Sequence, residues 1–196
     1  MSRISSRSFD PVVVGNREAD AWAAYYRHEW AQFLVAALAM VWNGFGMGPV
    51  RTVLGAGYVL RANQLWAPIP DNDPDAARAS MRRFYALVAR TGNLNIDAAH
   101  AARLEVEWWR LHRAHQYSGN SDSRELQAGL VALYSYVYDA EPLRVQDAAR
   151  WRVHAMDVSD QWVAAGCDLT DPLLLEERRS LVASYGALRD AVARAA

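Results

Sequence analysis

Between successive proline- and glycine-marked breaks, the apolar residues of this chain recur three and four positions apart, and no run alternates long enough to make a strand. That spacing puts apolar side chains on one stripe of a helix and constrains the fold more than any other feature. It predicts an all-α, single-domain bundle of about seven helices, over roughly 17–43, 49–66, 74–90, 98–117, 122–138, 142–165 and 170 to the end. The fourth and sixth segments are predicted to be internal. Residues 1–16 are expected to be a flexible tail and 17–196 the domain. At 196 residues with 52% hydrophobic side chains, the chain can bury a sizeable core.

The breaks have their own chemistry. Asn43-Gly44-Phe45-Gly46-Met47-Gly48-Pro49 combines a glycine C-cap with a proline suited to the first turn of the next helix. Its glycine spacing could suggest a phosphate loop, but no strand precedes it and no lysine follows. Asp73-Pro74 reads as an N-cap followed by a first-turn proline. Asn95 or Asp97 is expected to cap the segment that follows, and Gly166 to end the sixth.

Composition excludes several functions. Every basic side chain other than histidine is arginine, which rules out Schiff-base chemistry and a P-loop. The single Cys167 allows neither an intramolecular disulfide nor a cysteine-built metal site. A net charge of −1 gives no global field toward nucleic acid. From Ala31 to Gly48 there is no charged residue. Yet Gln32, Asn43 and the glycines dilute that run, so a helix buried in a bundle is expected rather than a membrane span. The N-terminus lacks a signal-peptide pattern, and a cytoplasmic location is expected.

Chemistry concentrates in residues 98–117. On a helical wheel His100, Ala101, Leu104, Trp108, Leu111 and His115 form one stripe, flanked by Glu105, Trp109, His112 and Gln116. Arg103, Glu107 and Arg110 fall opposite, at ion-pair spacing. A carboxylate beside two imidazoles on a desolvated face must be paired, neutralised or bound to something. Glu29 falls on the apolar face of the first predicted helix, and His154 lies in a polar stripe of the sixth with Arg150 and Asp157. Glu29, Glu105, Trp108, His112, His115 and His154 are therefore the candidate ligand-binding residues.

Carboxylates and imidazoles from facing helices can hold non-haem iron or manganese, although the paired Glu-x-x-His pattern of di-iron bundles is absent. The stretch Arg110-Leu111-His112-Arg113 is similar to one in the all-α, haem-binding rubber-oxygenase-like proteins, as is Trp151-Arg152-Val153-His154. The resemblance implies a non-covalent haem with His112 as axial ligand and arginines near the propionates. It spans only these residues, and that family's activity is not carried over. No cofactor is named by the sequence itself. The functional expectation is a small-molecule, haem or metal-binding protein of oxidoreductase type, with a polar pocket around 98–117. The alternative is a helical assembly protein, in which Glu105 and Glu29 are satisfied structural groups and Trp30 and Phe33 sit at a homodimer contact.

Overall fold

The computed structural model describes residues 8–92, 94–118 and 122–193. Among them are eight helices and no strand: α1 Pro11–Tyr26, α2 Trp30–Phe45, α3 Pro49–Trp66, α4 Pro74–Gly92, α5 Ala98–Ser118, α6 Arg124–Tyr138, α7 Pro142–Ala164 and α8 Pro172–Ala193. The all-α reading of the periodicity holds. No helix among the described residues is long and apolar enough to cross a membrane.

Most boundaries follow the local chemistry. Asp10 accepts from the Val12 amide at 2.8 Å, Asp73 from Ala76 at 2.9 Å and Asp97 from His100 at 2.6 Å, each filling an orphan donor at a helix start. Pro49 opens α3, and Gly46, at φ 61°, ends α2 in the left-handed region. Gly166, at φ 101°, follows the end of α7 in the same way.

Two expectations are corrected. The single helix expected from Arg17 to Asn43 is two helices, α1 and α2, which meet at Arg27-His28-Glu29. His28 takes the left-handed conformation at φ 57°, uncommon for a residue other than glycine, and its ring stacks on Trp30. Arg27 anchors the corner by donating to the Cys167 carbonyl at 3.0 Å. Residues 11–16, expected within the tail, form the first turns of α1, with Val14 and Gly15 buried, while 1–7 lie outside the described residues.

Each helix packs on the next in sequence, and α8 returns to pack on α1, so the eight close into a ring. Small residues and specific bonds make the closure. A Cβ at Gly15 would lie 2.8 Å from both Cα and N of Val182, so α1 and α8 approach as closely as their backbones permit. Arg178 of α8 reaches α1 twice, donating to the Asn16 carbonyl at 3.1 Å and to Asp20 at 2.6 Å. Ser184 ties α8 to the Ala148 carbonyl of α7 at 2.8 Å.

In this arrangement neither α5 nor α7 is enclosed on all sides. Arg103, Glu107 and Arg110 of α5 face solvent, as do Arg150, Trp151 and His154 of α7. Phe33, expected at a subunit contact, is buried inside the ring, and Trp30 packs edge-on against it and against Tyr25. The exposed apolar side chains of α2 and α3 are instead Val35, Trp42, Val50, Val53 and Leu54.

The contact at Gly15 gives a direct test of ring closure. Gly15→Ala must push a methyl into backbone atoms of Val182 and is expected to cost about 1–3 kcal/mol in urea denaturation. Gly129→Ala meets only the flexible end of Leu111, at 2.8 Å. There the gain in helix propensity, ~1 kcal/mol, should offset much of the strain. Equal losses at the two sites would contradict the close α1–α8 approach.

Candidate functional site

Between the helices lies a central chamber of about 180 Å³, and all eight contribute to its wall. The lining is mostly apolar and aromatic, including Trp22, Phe33, Val41, Phe84, Trp108, Leu133 and Leu188. A second cavity, of about 230 Å³, adjoins it and shares Trp22, Phe33, Asn63, Trp108 and Trp109. Its remaining walls include the exposed Ile69 and Tyr117, so it leads from the surface to the aromatic partition.

The polar groups of the chamber begin with an ion pair. Glu18 of α1 and Arg152 of α7 meet through two parallel hydrogen bonds, Nη1 to Oε2 at 2.8 Å and Nη2 to Oε1. Both residues are buried, at 5% and 7% exposure, and the guanidinium lies within 5.5 Å of the Trp22 ring centre and 5.2 Å of the Trp108 ring centre. Burial, the largest single influence, favours loss of the Arg152 charge, but the charge and hydrogen bonds of Glu18 together with Tyr134 and Tyr185 outweigh it, and the proton is held more tightly than in water. Breaking such a pair leaves one charge unpaired in the interior, at a typical cost of ~3–5 kcal/mol.

Glu105 lies beside this pair, deep in the chamber wall. It accepts from the Tyr85 hydroxyl at 2.6 Å and from the Trp109 indole at 3.2 Å. Burial raises its carboxyl above the ordinary carboxylate range, although the Tyr85 hydrogen bond and Arg152 pull the other way. Burial likewise raises the hydroxyls of Tyr85, Tyr134, Tyr138 and Tyr185, so all four tyrosines are neutral at physiological pH.

Three buried polar atoms on residues of this wall make no hydrogen bond of good geometry among the described residues: the Trp108 indole nitrogen, the Tyr134 hydroxyl and Arg152 Nε. Neighbouring atoms close them off, with less than 1 Å² of each accessible, and Glu105 lies close to Trp108 and Ser184 close to Tyr134. A buried unmet donor is costly enough that most proteins avoid it.

The expected site residues are only partly brought together. Glu105 and Trp108 line the chamber. His112 lines the outer cavity, where its Nε2 lies 3.2 Å from Asp160 of α7, and Gln116 donates to the same carboxylate at 2.7 Å. His115 is one turn further along, with Nε2 3.0 Å from Asp157. The Nε2 of each of these imidazoles thus faces an α7 carboxylate. His154 is at the surface, 3.3 Å from Glu176. Glu29 is not on an apolar helix face. It opens α2 at the break and pairs with Arg27 at 2.9 Å. Among the described residues, no three His, Cys, Asp or Glu side chains converge where they could hold a metal ion.

Sequence reasoning passed over Glu18, Arg152 and Glu177. Arg152 is the only charge among Ala148, Ala149, Ala155, Met156 and Ser159, a run of small buried residues at helical spacing that could have marked it. Glu18 follows Val14 and Gly15 and precedes Ala21 and Trp22 in the same way, but the expected tail obscured that stripe. No family model, curated protein or solved structure matches the chain.

Glu177 lies outside the chamber and is fully buried on α8. Neither of its carboxyl oxygens meets a hydrogen-bond partner among the described residues. Burial pushes its pKa up to about 8, from an ordinary value of 4.5. The folded protein therefore holds a proton that the unfolded chain releases. The resulting stability is complete below about pH 4.5 and is lost as pH rises through about 8, and Glu105 acts in the same direction. Each unit of difference is worth about 1.4 kcal/mol. Thermal unfolding followed from pH 5 to 9 should show falling stability, and Glu177→Gln should flatten the profile and raise Tm at pH 9. An unchanged profile in the variant would show that Glu177 is ionised in the fold.

Proposed function

We propose that the protein binds a small molecule in the central chamber and admits it through the outer cavity beside His112 and Arg113. The observation that carries this reading is the chamber itself: an apolar, aromatic space to which every helix contributes, adjoining a cavity that reaches the surface. Protein interiors are close-packed, and a void of this size sacrifices packing that a few larger side chains would restore. An apolar cavity of roughly 150 Å³ is enough to take benzene, and the chamber is somewhat larger. The mixture of many apolar walls with a few convergent polar groups is that of small-molecule sites generally.

The site differs in composition from the haem or metal pocket suggested by residues 98–117. Its centre is Glu105 and Trp108 with Arg152 and Tyr134, and the histidines stand outside it. Trp22, Trp108 and Trp109 form the partition between the two cavities, so small rotations there would open or shut the route.

A binding experiment separates a working chamber from a packing defect. Wild-type protein is expected to gain Tm with increasing cumene or acetophenone, approaching ~2.7 kcal/mol of stabilisation at about 100 times Kd. Ala37, buried on α2, lines the chamber. Ala37→Leu should fill part of the space, weaken binding at least about tenfold and keep the helical circular dichroism. Absence of any Tm change in the wild type, or equal binding by the filled variant, would overturn the proposal.

A further inference from the structure

We infer that the outer cavity is a binding site in its own right, for a planar aromatic acid whose carboxylate is held by Arg113. The inference goes beyond the chamber reading and does not depend on it, since Arg113 lines the outer cavity and not the chamber.

The first argument is that the charges lining this cavity have one sign. No aspartate or glutamate is among its lining residues. Arg113 is always a cation, and the imidazoles of His28 and His112 can only add positive charge. Asp160, behind the wall, accepts from Gln116 at 2.7 Å and lies 3.2 Å from His112 Nε2, so it meets the cavity only through two lining side chains. Glu29, next to His28 in sequence, is paired with Arg27. Glu18 and Glu105 belong to the chamber wall.

The second argument is that Arg113 has neutral partners only. Its Nη2 donates to the Trp66 carbonyl at 2.7 Å, and its guanidinium lies over the Trp66 ring, 4.2 Å from the centre. The Tyr25 hydroxyl is within hydrogen-bonding reach of it. Asn72, with its amide turned to satisfy both neighbours, accepts from Nη1 at 3.2 Å. These groups fix the plane of the guanidinium without cancelling its charge, and none of the ion pairs among the described residues involves Arg113. Arg152 is buried and paired with Glu18, whereas Arg113 is half-buried and borders both the cavity and a surface groove. The other two arginines of that groove, Arg78 and Arg110, are paired with Asp75 and Glu107. Arg113 is thus the charge still unanswered there. A carboxylate meets a guanidinium at the edge of its plane, which leaves the face on Trp66 undisturbed.

The walls set the body of the ligand. Trp22, Tyr25, Tyr26, Phe33, Trp66 and Trp109 border a space of about 230 Å³. A cavity of roughly 150 Å³ takes benzene, so a ring system of two fused rings is in scale here. Aromatic walls favour a flat aromatic body.

Indole-3-acetate, indole-3-acetamide and tryptamine share one ring system and differ in charge, as anion, neutral amide and cation. Their binding is measured by titration calorimetry to the wild-type chain, to Arg113→Met and to Ala37→Leu. The wild type should bind the acetate at least about tenfold more tightly than the amide, as a hydrogen bond to a charged group provides. Tryptamine should bind at least about tenfold more weakly than the acetate. Arg113→Met keeps an unbranched apolar stem and removes the charge. It should reduce the acetate-to-amide ratio to about threefold or less, with amide affinity within about threefold of wild type. Ala37→Leu fills the chamber and leaves the outer cavity alone, so it should bind the acetate within about threefold of wild type. Circular dichroism verifies folding, and the wild-type ratios remain decisive if Arg113→Met is unfolded. Equal affinity for acetate and amide, tightest binding of tryptamine, or a ratio that survives in Arg113→Met would overturn the inference. Loss of acetate binding in Ala37→Leu would also overturn it, by placing the ligand in the chamber. Failure of all three probes to bind would do the same, while the chamber reading stands or falls on the cumene and acetophenone titrations.

Discussion

The interior of this protein is organised by one ion pair. Glu18 and Arg152 join α1 to α7, two helices that both flank α8, and they do so where little water is present to screen them. Such a pair is tolerated only when its geometry is good and its remaining hydrogen bonds find partners. Two parallel bonds and two nearby indole rings meet the first requirement. The second is not met at Arg152 Nε, which has no hydrogen-bond partner among the described residues. A well-packed apolar pair often holds helices together at least as firmly, so the charges are weak evidence for stability by themselves.

Ring closure and the chamber are two aspects of the same packing. Helices that pack chiefly on their neighbours leave the middle to side chains, and those of all eight reach inward. Where they stop short, a space remains, and the groups around it become the site. The places where packing and hydrogen bonding are locally incomplete are the places where function is most often found.

Much of the fold was legible because turns and caps are local. Asp73-Pro74, Asp97 and the glycines around Gly46 announce their boundaries through side chains a few residues away. The break at His28 was not legible, since no glycine or proline marks it and its geometry is held by a distant bond from Arg27 to the Cys167 carbonyl. The site was legible at Glu105 and Trp108, which stand on a periodic stripe of one helix. Its other half depends on which helices become neighbours, and periodicity cannot say that Glu18 meets Arg152 across 134 positions of chain. The histidines on the same stripe face carboxylates of α7, a pairing between distant segments that periodicity does not report, and His112 also lines the outer cavity.

The most direct measurement is a crystal structure of the protein as purified, at a resolution that shows ordered solvent. The expected result is an open chamber between Trp22, Trp108 and Leu133 containing density that no side chain explains. A closed interior, with no space between Trp22 and Trp108, would contradict the central claim.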